Sequence, residues 1–267
     1  MAETGRLRLP AMDRPFGLPF TAVTALRVII VVAVLVSWQA LALSGLLYRD
    51  VVPRLEMIVR ALYVTLRDPT FYFHLYTTFY EIGIAMVIGG LSGLAVGILL
   101  GGSKFMSRAY EAYLYYLGPC PKIIFFPVMI MWFGVGPGSK VAMGAISCFF
   151  PVALNVAGGM REIDKVLIKV GRSFRANTWQ MVTKIYLPAM RHPVINGVRL
   201  GLGVALIGTL LAETKLSNRG IGFLVIQAYS IFNMPQMYAL LIILFVIAIG
   251  ANTLIGRVGG LDDIKRS

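Results

Sequence analysis

The sequence predicts an all-α protein embedded in a membrane, with six helices crossing the bilayer, and three observations predict it. Of its 267 residues, 58% are hydrophobic and only 14% are charged, against about 25% charged in a soluble domain. The apolar excess is gathered into runs near the ~20 residues that cross the hydrocarbon. No stretch alternates as barrel strands do, and helices are then the way to satisfy the backbone in lipid. A net charge of +13 on a soluble chain would suggest nucleic acid. Set between apolar runs, the same charge holds loops against anionic lipid, so membrane lipid is the expected partner and nucleic acid is not.

The elements follow in order. Residues 1–22 form a tail with Arg6, Arg8 and Arg14. The run 23–47 is interrupted by Trp38-Gln39 rather than by a small-residue cleavage site, so it reads as a retained span. In 53–68, Leu55, Ile58, Val59, Leu62 and Leu66 recur at helical spacing among Arg54, Glu56, Arg60 and Arg67. This is an amphipathic helix lying at the interface or packed on its own protein. The second span, 74–101, carries Gly83, Gly89, Gly90, Gly93, Gly97 and Gly101, which predicts close helix packing. The third, 109–133, is broken by Pro119, Pro121 and Pro127, and the fourth, 139–160, contains Pro151. The fifth, 196–212, is again glycine-rich, and the sixth, 237–255, is nearly all apolar. Residues 74–257 form one five-helix core, interrupted by the polar loop 161–193, and 258–267 is a second tail.

Loop charges orient the chain. Sixteen Lys and Arg fall on the side of both termini and the 161–193 loop, against seven on the other, counting Lys140. The basic side is cytoplasmic, so both termini and that loop lie inside, and the 53–68 helix and the 213–236 segment face outward.

The 161–193 loop is the most polar internal segment. Ile163, Val166, Leu167 and Val170 suggest one short helix, and Asn177 or Thr178 can cap a second through Trp179, Val182 and Ile185. Pro188 and Pro193 punctuate the return to the membrane. A helix–turn–helix with a mixed apolar and cationic face is a docking element.

This loop resembles the coupling loop of the permease subunits of bacterial ABC importers, whose signature is Glu-Ala-Ala, three residues, Gly, nine residues, then Ile-x-Leu-Pro. Ile185, Leu187 and Pro188 match its end. The Gly position falls on Arg175, and Glu-Ala-Ala falls on Lys169, Val170 and Gly171, so the first half departs from the pattern. WFGVGPGSK (132–140), FFPVALN (149–155) and LLAETKLSNRGIGFLV (210–225) are similar to the nitrate, taurine and alkanesulfonate branch.

The resemblance implies a type I importer permease core that pairs with a second permease copy. It also implies two cytoplasmic ABC ATPase subunits seated on the coupling loops, a periplasmic substrate-binding protein, and alternating access in a bacterial inner membrane. The chain has no Gly-x-x-x-x-Gly-Lys-Ser/Thr loop, so it is not expected to be an enzyme or to bind a cofactor. ATP and Mg would belong to the partner ATPase. Arg175 where the family has Gly implies a reshaped turn, or one taken over by Ala176-Asn177. Lys169 in place of Glu implies an acidic residue on the ATPase.

Polar groups inside the bilayer are costly and so are functional candidates. Glu81 stands in the second span and Lys122 in the broken third, where a mutual pair would cancel much of the burial cost. Pro119, Pro121 and Lys122 are the first candidates for a translocation path, followed by Asn155, while Arg199 reads as snorkelling to the interface. Glu213 begins the outer segment, which could gate or dock a binding protein. Cys120 and Cys148 read as small core residues, and His74 and His192 sit at opposite span ends, so no metal site is expected. Tyr110, Tyr113, Tyr115 and Tyr116 fit an aromatic belt. An ATP-independent secondary carrier is the alternative; it should show repeated halves, and none is evident. An integral membrane enzyme lacks candidate catalytic residues.

Overall fold

The computed structural model describes residues 20–46 and 51–258. Nearly all of the two expected tails, with Arg6, Arg8, Arg14, Lys265 and Arg266, and also Arg49, lie outside the described residues. The chain divides into two units, 1–55 and 56–267. The first holds α1 (Phe20–Ser44), after which Trp38 Nε1 donates to Pro53 O at 3.0 Å and the Leu55 amide donates to Gln39 Oε1 at 3.1 Å. The Trp38-Gln39 pair therefore ties the chain beyond α1 back onto the helix.

The second unit opens with α2 (Leu55–Arg67). One stripe of α2, Ile58 and Thr65, is buried and Leu62 packs with Phe71, Ile221 and Leu240, while Val59 and Leu66 stay exposed. The apolar face predicted from spacing is thus split between its own protein and the surroundings. Helix α3 (Pro69–Gly102) starts five residues earlier than the spacing predicts. Asp68 caps it, accepting from the Thr70 amide at 2.8 Å, and the Thr70 hydrogen bonds hold this exposed carboxyl below its ordinary range. Pro69 follows at a first-turn position, where its missing N–H is not needed.

The expected third span is not straight. Helix α4 (Lys104–Leu117) and the segment formed by a 3₁₀ turn (Lys122–Phe125) and α5 (Phe126–Phe133) meet at 91°. Pro119 and Pro121 lie in the break, where each removes a donor. Helix α6 (Pro137–Glu162) keeps Pro151 inside it, and α7 (Lys165–Ser173) opens the polar loop. Then α8 (Thr178–Gln180), a π turn (Met181–Tyr186) and α9 (Leu187–Ala189) run on without a gap. Helices α10 (Arg191–Lys215), α11 (Ile221–Ser230) and α12 (Met234–Val258) complete the chain. Among the described residues five helices are long and apolar enough to cross a membrane, six if the bent pair is one span.

Helix α6 is the axis of the core. On one side Gly93 meets Phe149 and Val152, Gly97 meets Val156, and Gly101 meets Met160; a Cβ on Gly97 would lie 2.6 Å from that of Val156. These pairs advance together along both helices, so α3 and α6 run parallel. On the other side Gly197 meets Val152, Gly201 meets Cys148 and Gly208 meets Ser147, so α10 runs antiparallel to α6. Small residues let the backbones approach this closely. Gly83, Gly90 and Gly203 have no such neighbour among the described residues. Since α3 and α6 point the same way, the segment between them returns from one end of the core to the other.

Candidate functional site

Three polar regions stand out. In the first, the 161–193 loop, Asp164 caps α7 by accepting from the Val166 amide at 2.8 Å. Arg175 then takes φ +52°, the left-handed turn that favours glycine. The left-handed residue of the turn is therefore Arg175 itself, and Asn177 (φ −73°) does not take that place over. Asn177 instead forms a capping box with Gln180, with reciprocal bonds of 2.8 and 2.9 Å. Gly171 is buried where α7 crosses Met181 and Ile185. Leu187 and Tyr186 pack on Met160, Ile163 and Met190 at the end of the core, and Pro188 is exposed beside them. On the opposite side Lys169, Val170 and Arg175 are exposed, together with Phe174 (83%) and Trp179 (73%). This loop-side end is pinned by Arg161 Nη1, which bonds Glu111 Oε2 of α4 at 2.6 Å.

In the second region, at the α4–α5 break, the Lys122 ammonium donates to Gly118 O and to Cys120 O at 3.2 Å, and lies 4.7 Å from the centre of the Phe150 ring. It serves backbone carbonyls within the break. The expected Glu81–Lys122 pair does not form. Cys120, expected to be a core residue, is exposed, whereas Cys148 is buried.

The cation near Glu81 is Lys140, in the third region. It is a buried α6 residue, not the loop charge the sequence suggested, and its ammonium donates to Val135 O and to Gly136 O at 3.0 Å. Glu81 on α3 and Glu213 on α10 are both buried and lie close to each other and to Lys140. Glu213 Oε1 accepts from Thr78 Oγ1 at 2.7 Å and its Oε2 from the Gly222 amide at 2.6 Å, while Thr78 accepts from the Ile221 amide at 2.8 Å. Glu213 lies inside α10 rather than opening the outer segment, and it anchors the first turn of α11, where amides are unpaired and negative charge is favoured. His74 accepts from the Gly220 amide at 3.1 Å and stacks on Phe223. Glu81 and Glu213 were the members of this cluster that the sequence singled out; Thr78, three residues before Glu81 on the same helical face, and Lys140 were not.

Asn155 and Arg199 lie elsewhere, along a groove between α6, α10 and α12. Among the described residues no group of His, Cys, Asp and Glu is placed to hold a metal.

The model of the family "Binding-protein-dependent transport system inner membrane component" matches residues 77–261. SsuC of Bacillus subtilis, named as an aliphatic sulfonates transport permease, is 29% identical over 214 residues, 80% of this chain and 78% of that protein. TauC of Escherichia coli, a taurine transport system permease, is 30% identical over 161 residues, 60% and 58% of the two chains. A solved structure of the MetNI methionine ABC transporter in inward-facing conformations shares the fold, with a TM-score of 0.57 at 22% identity over 79% of this chain and 96% of that one.

Proposed function

Since this chain belongs to the binding-protein-dependent transport system inner membrane component family, and is thereby the permease subunit of an ABC importer, we propose that it moves a small anionic solute into the cytoplasm by alternating access. A periplasmic binding protein delivers the solute, two cytoplasmic ATPase subunits bind ATP and Mg, and a second permease copy completes the pathway. In this reading residues 1–22 and 258–267 are cytoplasmic tails, 53–68 lies at the outer surface, and 74–257 is the permease core in the inner membrane. Lys169, Val170, Gly171, Arg175, Ile185, Leu187 and Pro188 form the coupling element. The names of the sulfonate and taurine relatives support an anion.

One observation carries the ATPase contact. Phe174 and Trp179 stand almost fully exposed on a loop whose other side is packed on the core, ringed by Lys169, Arg172 and Arg175. Large aromatic side chains amid cations are the chemistry of a protein docking surface. Affinity purification of the tagged protein from its own membrane in mild detergent, with mass spectrometry, tests this. An ABC ATPase should co-purify, and recovery should fall at least tenfold when Phe174 and Trp179 are both changed to Ala. A monodisperse wild-type particle carrying no ATPase sinks the proposal and favours a secondary carrier.

A further inference from the structure

Arg199 lies eight residues into α10, about 12 Å from the helix start at 1.5 Å per residue. A cation on the apolar run of a candidate span is costly unless it is paired or has a task. Among the described residues it has one partner: its Nε donates to Asn252 Oδ1 of α12 at 2.8 Å. That bond fixes the guanidinium plane beside Gly256, whose missing side chain leaves it room. Both terminal amino groups, Nη1 and Nη2, have no acceptor among the described residues. Simple snorkelling does not account for a guanidinium tied by Nε to a neighbouring helix.

Arg199 lines a groove of about 770 Å³ with Asn155, Asn196 and Asn252, and with Ile207 and Ile249 as an apolar wall. Among the described residues no acidic side chain lines it. Asn155 spends one N–H on Pro151 O at 2.8 Å, and the Asn196 amide has no partner among the described residues. A second cleft, of about 510 Å³, shares Asn155 and Asn196 and continues past Tyr115 and Gly158 to Glu162. The polar stripe therefore opens at the end of the core that carries the 161–193 loop.

We propose that Arg199, with Asn155 and Asn196, forms a binding site for an oxyanion head group: sulfonate, phosphate or carboxylate. The two free amino groups of a guanidinium match two oxygens of such a group in one plane. The Asn amides add neutral donors, and Ile207 and Ile249 receive a short hydrocarbon. The head group belongs either to the solute in transit or to an anionic lipid; the first source rests on the permease reading above, and the site itself does not.

The test uses the full-length protein in neutral detergent, with ethanesulfonate and phosphatidylglycerol as separate probes and binding followed by native mass spectrometry. Wild type should bind at least one. Arg199→Gln should weaken that binding at least tenfold. Arg199→Lys should weaken it less, because it keeps the charge and loses the fork. Asn196→Leu should weaken it several-fold with all charges in place, and it decides the matter with Arg199→Lys if the Gln variant does not fold. Loss for ethanesulfonate supports the site as a solute site, and loss for phosphatidylglycerol supports it as a lipid site. A wild type that binds neither probe, or variants that bind like wild type, overturns the proposal. Sulfonate uptake is scored separately, in vesicles reconstituted with the wild-type permease, its co-purifying ATPase and binding protein, and ATP with Mg. If the variants lose binding while wild type carries no anion, the solute reading fails and the site stands.

Discussion

At the scale of single residues, Glu213 holds more of the structure than Glu81, although both are buried carboxyls on neighbouring helices. Glu213 accepts from Thr78 and Gly222, whereas Glu81 Oε2 has no hydrogen-bond partner among the described residues. Glu213→Ala should leave the Thr78 hydroxyl and the Gly222 amide unserved while Lys140 keeps Glu81 nearby, a loss of about 1–3 kcal/mol for each buried group left unpaired. Glu81→Gln should stay within about 1 kcal/mol, because the amide keeps the shape of the side chain and can donate to Glu213. Thermal unfolding of the purified variants measures both, and equal losses would show that the two carboxyls share the load. Glu81 was visible in the sequence because a carboxylate in an apolar run stands out. Lys140 was not, because Gly-Pro-Gly-Ser-Lys reads as loop, and only the packing of α6 against α3 shows that the helix has begun by Pro137.

At the scale of elements, the loop shows how a degenerate motif keeps its geometry. Arg175 occupies the left-handed turn without glycine's freedom, a strain of order 1 kcal/mol. Arg175→Gly should therefore keep the α7–α8 turn and raise stability by up to about 1 kcal/mol, seen as a higher Tm. A lower Tm would mean that the Arg side chain earns its place through contacts. Gly171, where the family has Ala, faces only the flexible ends of Ile185 and Met181. Gly171→Ala should be tolerated and Gly171→Leu should drive α7 from the second helix, with loss of ATPase recovery in the purification described above. The two short helices and the Asn177 cap were legible from spacing and capping chemistry. The π turn ahead of Pro188 was not, since a widened turn leaves no mark in residue periodicity.

For the molecule as a whole, six crossings were legible from apolar length alone, but the shape of the third was not: prolines announce a break without its angle. What makes the 91° pair a span is the packing of its neighbours. Gly93, Gly97 and Gly101 climb α3 in step with Phe149, Val156 and Met160 on α6, so the chain between two parallel helices must recross the membrane. Parity then fixes every loop once one is assigned, and the proposed topology puts the basic 161–193 loop in the cytoplasm. Single cysteines placed in a Cys120→Ser, Cys148→Ala background test both steps with a membrane-impermeant maleimide. Lys104→Cys and Lys165→Cys should react only in inverted vesicles, and Val135→Cys and Asn218→Cys only in intact spheroplasts; all four positions are exposed. Reaction of Lys104→Cys and Val135→Cys from the same face would turn the bent pair into a re-entrant loop and break the parity argument. The full pattern reversed would keep six spans but put Phe174 and Trp179 outside the cell, where no ATPase could reach them.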